Sequence, residues 1–159
     1  MQKIMKNSIK EIYIANEAKV KLYNISEAKL VQNKGIIGDR YYNNTGSFSE
    51  LLKEKNDFHI TFIEQEKIDE FNQMTNLNYT NDMFRRNIIT SGIELNDLVG
   101  KRFIINGVEF LGMRLCQPCK LLSLELGEEF LNLMINKAGL RAQIITSGTI
   151  KIDDSINVI

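Results

Sequence analysis

The sequence predicts a mostly β fold, a barrel or a sandwich, with its helices at the periphery. Three observations carry this. Short apolar runs with strand periodicity outnumber helical ones. Gly and Asn turns punctuate those runs at short intervals. The pair Asn106-Gly107 joins two apolar runs and supplies the two φ > 0 residues of a type I′ hairpin.

In chain order, residues 9–15 alternate around Ile12 and Ile14 and read as a first strand. Residues 28–31 lead into the turn-rich Gly35-Ile36-Ile37-Gly38-Asp39. Residues 58–63, 87–90 and 102–105 are strands, and the return strand after Asn106-Gly107 spans 108–115. Residues 142–146 and 149–152 follow, with 155–159 a last candidate. Two stretches have helical periodicity. Residues 64–74 place Ile68, Phe71 and Met74 on one face. Residues 128–137 place Phe130, Leu131, Leu133 and Met134 inward, with acids in the first turn. Gly139 lies just beyond, where a left-handed stop is cheap.

The chain has 159 residues and no Pro- or Ser-rich linker, so one domain over residues 1–159 is expected. Hydrophobic residues make up 43% and charged residues 25%, the balance of a soluble globular protein. Lys+Arg 20 cancels Asp+Glu 20, which argues against a protein that holds nucleic acid by bulk positive charge. No apolar run is long enough to span a bilayer. The first seven residues lack the apolar stretch of a signal peptide, so two close cysteines suit a reducing cytoplasm. Residues 87–92 (Asn-Ile-Ile-Thr-Ser-Gly) are echoed at 143–148 (Gln-Ile-Ile-Thr-Ser-Gly). Such strand-then-turn strings recur by chance, and the spacing falls outside the usual repeat range.

Both cysteines and the only proline sit in Cys116-Gln117-Pro118-Cys119. Three chemistries use a C-x-x-C pair. A thioredoxin-like dithiol fits the motif itself, but that fold needs a second, cis proline facing the thiols, and Pro118 stands alone. A closed zinc site needs four ligands, and the chain adds only His59, which sits in an alternating strand where a hydrogen-bonded structural role is commoner. The third chemistry is one working thiolate, nucleophilic or metal-ligating. Arg114 and Lys120 flank the motif with positive charge, the setting of reactive thiolates, and Pro118 stiffens the loop. Two inert buried thiols at a strand end account for the motif equally well.

The flanks add to the motif. In order they are Gly35-Ile36-Ile37-Gly38-Asp39-Arg40-Tyr41, then Phe84-Arg85-Arg86-Asn87-Ile88-Ile89-Thr90-Ser91-Gly92-Ile93-Glu94-Leu95-Asn96, then Leu98-Val99-Gly100-Lys101-Arg102-Phe103. Arg114-Leu115-Cys116-Gln117-Pro118-Cys119 and Gly139-Leu140-Arg141-Ala142 complete the set. From about Ile9 onward, the chain resembles a MOSC domain, the family named for the C-terminal domain of molybdenum cofactor sulfurase. It is most similar to the short, stand-alone bacterial members. The resemblance implies an irregular, partly open β-barrel with a few peripheral α-helices. It also implies a protein that carries sulfur as a persulfide, for delivery to metal–sulfur centres, or that binds molybdenum cofactor (molybdopterin). A sulfurtransferase activity and a pyridoxal phosphate-dependent cysteine desulfurase or a molybdoenzyme as partner follow from the same resemblance.

The family's most characteristic thiol falls on Cys119, which would carry the sulfur or ligate molybdenum. Cys116 is its companion and can resolve a persulfide by forming a disulfide and releasing sulfide. Arg86, Arg40 and Arg141 are candidates for the cofactor phosphate, which Arg binds in bidentate fashion. Asn87 would contact the pterin, and Asp39 would hold an arginine in place. Structural roles explain these positions as well as ligand contact does. Gly35 and Gly38 suit turn geometry, Asp39 a turn cap, and Arg141 an ion pair. Before Gly139 the short members often carry His-Arg-Gly. This chain has Asn136-Lys137-Ala138, so an imidazole gives way to a neutral amide. Two other functions stay open: a non-catalytic module for a pterin or another anion, and a dithiol oxidoreductase.

Overall fold

The computed structural model describes residues 6–46 and 59–159. Phe58, the first residue of the expected strand 58–63, lies outside them, as does most of the N-terminal stretch examined for a leader. Strands β1 (Ser8–Ile14), β2 (Tyr23–Ile25), β5 (Ile60–Glu64), β6 (Ile88–Ser91), β7 (Arg102–Ile105), β8 (Val108–Leu115), β9 (Leu140–Ile144) and β11 (Ile156–Val158) form one sheet. Its order is β11-β7-β8-β9-β5-β6-β1-β2. A second sheet, β10-β3-β4, joins β10 (Gly148–Lys151), β3 (Glu27–Val31) and β4 (Gly35–Ile36). The large sheet curls. Ile9 N donates to Asp154 O and Asp153 N to Ile9 O, so the segment entering β11 meets the start of β1. The result is a partly open barrel, one of the two architectures the strand pattern allowed and the one the family resemblance implied.

The hairpin of β7 and β8 has the predicted bounds, with Ile105 opposite Val108 and both Asn106 and Gly107 at positive φ. Inside the barrel, Phe62, Phe103 and Phe110 pack ring to ring at centroid distances of 5.2 to 5.7 Å. Ile12, Ile88, Leu140 and Ile144 surround them. Fully burying each such side chain contributes roughly 1.5–3 kcal/mol.

The next residue along β5, Ile63, points to the opposite face, as strand alternation requires. There it joins a second core under the helices α2 (Gln65–Thr75), α3 (Lys120–Leu126) and α4 (Glu129–Leu133). Phe71 is its hub, with Phe84 and Phe130 both edge-on at 5.8 Å. β5 is thus buried along its whole length.

Glu64 closes β5. Its Oε1 accepts the Leu95 N–H at 3.0 Å, and Lys67 Nζ lies 3.9 Å from Oε2. Burial pushes this carboxyl up to about 7, and Glu94 adds to the rise; the Leu95 bond and Lys67 oppose it.

Some expectations need correction. Met74 is exposed, while Ile68 and Phe71 are buried. Six residues of helix carry a side chain about 120° away from the starting face, so Met74 cannot share the face of Ile68. The helix expected over 128–137 is confined to Glu129–Leu133, and both Asn136 and Gly139 take positive φ beyond it. Gly139 has a further task. A Cβ there would sit 2.0 Å from Phe62 O, so only glycine lets β9 start at Leu140, opposite Phe62. The strand therefore begins two residues earlier than expected.

Candidate functional site

The site is assembled where three segments meet on the helical face of the sheet. The first is the turn after β4. Gly38 has φ +92, which points the chain into the short helix α1 (Arg40–Asn43). Asp39 caps it, with Oδ2 accepting Tyr41 N at 3.3 Å. The same carboxylate accepts Ala15 N at 3.2 Å and binds Arg40 Nη1 at 3.0 Å. Asp39 is fully buried and Arg40 nearly so. A buried carboxylate needs such a partner, because leaving it unpaired costs several kcal/mol.

The second segment is Arg85-Arg86-Asn87, at the entry to β6. Arg40 Nη2 donates to Arg85 O at 3.0 Å, tying the two segments together. Arg86 is buried, and its Nε donates to Ala138 O at 2.8 Å; no other hydrogen bond from its guanidinium is found among the described residues. Asn87 is spent on the framework. Its Oδ1 accepts the Thr61 N–H and hydroxyl at 3.0 and 3.1 Å, and its Nδ2 donates to Tyr13 O. These bonds hold β1, β5 and β6 in register beside Arg86.

The third segment runs from β8 through the cysteine loop and from α4 into β9. Ala138 O takes Arg86, and the next carbonyl, Gly139 O, takes Cys116 N at 2.8 Å. The buried guanidinium and the buried thiol are thus hung on consecutive peptide units. Arg141, buried two residues further on, lies opposite Arg114 across the β8–β9 ladder.

Cys116 is packed in the helical core, whereas Cys119 is only partly buried; both are free thiols. Cys119 is the residue before α3, a helix that the leucine-rich run after the motif did not announce. Gln117 and Asn136 clamp the loop reciprocally. Gln117 Nε2 donates to Asn136 Oδ1 at 2.8 Å and Asn136 N donates to Gln117 Oε1 at 3.1 Å. The amide at 136 therefore positions the thiol loop, and its neighbour Lys137 pairs with Glu70 at 2.6 Å.

One residue of the site drew no role from the sequence: Tyr41. Its ring is buried, 4.5 Å from Arg40 Cζ and 5.9 Å from Arg141 Cζ. Burial raises its hydroxyl, but Arg40, Arg141 and Arg86 together outweigh burial and hold it below the usual tyrosine value, against a contribution from Cys116. This places all three arginines and Cys116 within electrostatic reach of one phenol. An Asp before a short helix and a Tyr following Arg were the available signals, and neither predicts the convergence.

The arrangement suits a ligand with an anionic group. Arg40, Arg86 and Arg141 are buried, Asp39 pairs with Arg40, and the cysteine loop carries one buried and one partly buried thiol. Among the described residues no group of three His, Cys, Asp or Glu side chains could hold a metal ion. A metal here would need most of its ligands from a cofactor, with a single thiolate from the protein, and the donor set fits that. No helix among the described residues is long and apolar enough to cross a membrane.

The curled half-barrel with its buried arginines and its Cys-x-Pro-Cys loop is that of a small β domain. The sequence model of the MOSC domain matches residues 51–157, and the chain belongs to that family, which is associated in general with molybdenum cofactor binding and sulfur transfer. Its fold is similar to the crystal structure of the YuaD protein from Bacillus subtilis (19% identity, 99% of this chain and 98% of that one, TM-score 0.79). It is also similar to YiiM from Geobacillus stearothermophilus (13% identity, 96% and 75% covered, TM-score 0.72) and YiiM from Escherichia coli (18%, 98% and 70%, TM-score 0.68). No curated protein matches the sequence.

Proposed function

We propose that this protein carries sulfur as a persulfide on Cys119, binds molybdenum cofactor through the same thiolate, or does both in turn. The observation that supports the reading is a partly exposed thiol three residues after a buried one, on a loop clamped by Asn136 and tied through Cys116 N to Gly139 O, next to the carbonyl of Ala138 that takes buried Arg86. Arg40, Arg86 and Arg141 are suited to a cofactor phosphate, with Asp39 fixing Arg40 and Asn87 fixing the strands below. When bound, the cofactor would supply the dithiolene sulfurs and the redox chemistry of molybdenum.

In the sulfur-carrying role, Cys116 is the resolving thiol. Its thiolate attacks the sulfur bonded to Cys119 carbon, the S–S bond to the outer sulfur breaks, and hydrosulfide leaves. A Cys116–Cys119 disulfide remains, which two electrons from a cellular thiol reductant reopen. A pyridoxal phosphate-dependent cysteine desulfurase is the fitting donor and a molybdoenzyme the fitting acceptor, in a reducing cytoplasm.

Native mass spectrometry after expression in molybdate-supplied cells tests this. A cofactor-sized increase that survives mild reductant supports cofactor binding. A one-sulfur increase on the Cys119 peptide, lost on reduction, supports sulfur carriage. Cys119→Ser should abolish either; retention in that variant would overturn the role of Cys119. The arginine pocket also favours a second reading, a non-catalytic module for a pterin or another anion. That module would not acquire sulfur from a purified desulfurase.

A further inference from the structure

We propose that the cleft between the β1–β2 loop and α3 binds a short peptide thiol with two carboxylates and one ammonium, and that this thiol takes the sulfur from Cys119. The inference rests on the reading that Cys119 carries a persulfide, and it names the acceptor class and its seat.

The cleft has a volume of about 290 Å³, at the small end of ligand pockets. Lys19 and Lys21 line it from the β1–β2 loop, Asp82 and Arg85 from the segment before β6, and Glu125 from the last turn of α3. Leu22 and Met83 add an apolar lining. Leu22 belongs to the core that holds Cys116, and Met83 and Cys119 both pack against that core. Three cations and two carboxylates thus share one small space, yet among the described residues no ion pair joins any two of them. Arg85 Nη1 donates instead to Val20 O at 2.7 Å. Lys19 and Arg85 also stand at φ 66 and φ 60, and left-handed backbone at such side chains gathers at ligand clamps.

The lining selects the ligand. A lone phosphate would meet Asp82 and Glu125, and a simple amine would meet the three cations. A zwitterion satisfies both, and two carboxylates with one ammonium leave the filled cleft neutral. Glu125 lies six residues beyond Cys119, about 9 Å along the helix. Two or three extended peptide residues span roughly 7–10 Å, so a ligand whose ammonium sits at Glu125 can carry its thiol to the start of α3. There its thiolate attacks the outer sulfur of the Cys119 persulfide. An S–S bond forms on the ligand, the bond to Cys119 breaks, and Cys119 leaves with the electron pair as thiolate. The outer sulfur keeps its proton, so the product is a peptide persulfide and no oxidant or reductant is consumed.

The first arm of the test needs no sulfur: titration calorimetry of the full chain with S-methylglutathione, which has the charges and cannot exchange sulfur. It should bind at millimolar ligand, and Lys21→Gln and Glu125→Gln, both at exposed positions, should each weaken it about threefold to tenfold. The N-acetylated ligand lacks the ammonium. It should bind more weakly to wild type, and Glu125→Gln should cause it no further loss, a pattern that a merely structural effect would not give. The second arm uses protein loaded with sulfur from polysulfide. Sulfur loss to glutathione should saturate, with a half-saturating concentration that Lys21→Gln raises by the same factor, whereas loss to mercaptoethanol should rise linearly. No binding at millimolar S-methylglutathione, or an unsaturated glutathione rate while mercaptoethanol still unloads the sulfur, overturns the cleft and leaves the persulfide reading standing. Charge-dependent binding to a protein that never takes up sulfur on Cys119 overturns the acceptor role together with the persulfide reading.

Discussion

β9 borders two environments that differ in kind. Leu140, Ala142 and Ile144 face the barrel interior and its phenylalanines, while Arg141 faces the pocket with Tyr41. Alternate residues of one strand thus serve packing and charge. The interior gains from every contact made, and its cost of change is a cavity. The other side gathers guanidiniums held by bonds to their neighbours: Asp39 for Arg40, Ala138 O for Arg86, with Asn87 bonding the strands below.

The largest effect should come from the interior. Phe110→Ala removes a buried ring that contacts both Phe62 and Phe103, and should cost about 3–5 kcal/mol in chemical denaturation. Any ligand the pocket binds should still bind to the fraction that remains folded. Equal loss of both would show that the two faces are not separable.

Next comes Glu64, at the end of β5. Its folded value near 7 lies above the ordinary 4.5, so the folded state holds an extra proton between those pH values. Stability attributable to this group is therefore present at low pH and lost as pH rises from about 4.5 through 7. Glu64→Gln should match wild type near pH 4 and be more stable at pH 8 by roughly 2–3 kcal/mol. Thermal melts across that range decide it, and parallel curves would show that the buried carboxyl does not titrate this way.

Arg86→Ala should cost only about 1 kcal/mol, since the lost bond to Ala138 O is offset by relief of repulsion. It should nonetheless reduce anion or cofactor retention by at least tenfold. A stability loss as large as that of Phe110→Ala would mean the arginine is a packing residue. Smallest is Lys137→Ala. The Lys137–Glu70 pair is partly exposed at the surface and should contribute at most about 0.5 kcal/mol, read from a small shift in denaturation midpoint.

The two faces were unequally legible. The β7–β8 hairpin was read to the residue, because Asn106-Gly107 fixes both the turn and the register. β2 is too short to leave a period, and α3 follows the motif as a leucine-rich run with no side-chain cap at Cys119. At the site, the sequence offered the Cys loop, three arginines and Asp39, and the structure brings these to one face of the sheet. It could not separate Arg86 from Asn87, adjacent residues of which one lines the pocket and the other binds Thr61 and Tyr13. Nor could it single out Tyr41, whose character depends on cations from three distant segments.

The bonds that curl the sheet also set an order of assembly. Half of the outer edge of β1, at Ile12 to Ile14, is covered early by β2, close by in the chain. The other half, at Ser8 and Ile9, waits for residues 153–155, with nearly the whole sequence in between. During synthesis on the ribosome that half-edge stays open until the last strand emerges, a bare template for pairing with a neighbouring nascent chain. Removing residues 153–159 should therefore yield a chain that aggregates through β1, although Ile156 is the only core side chain among the described residues that it loses.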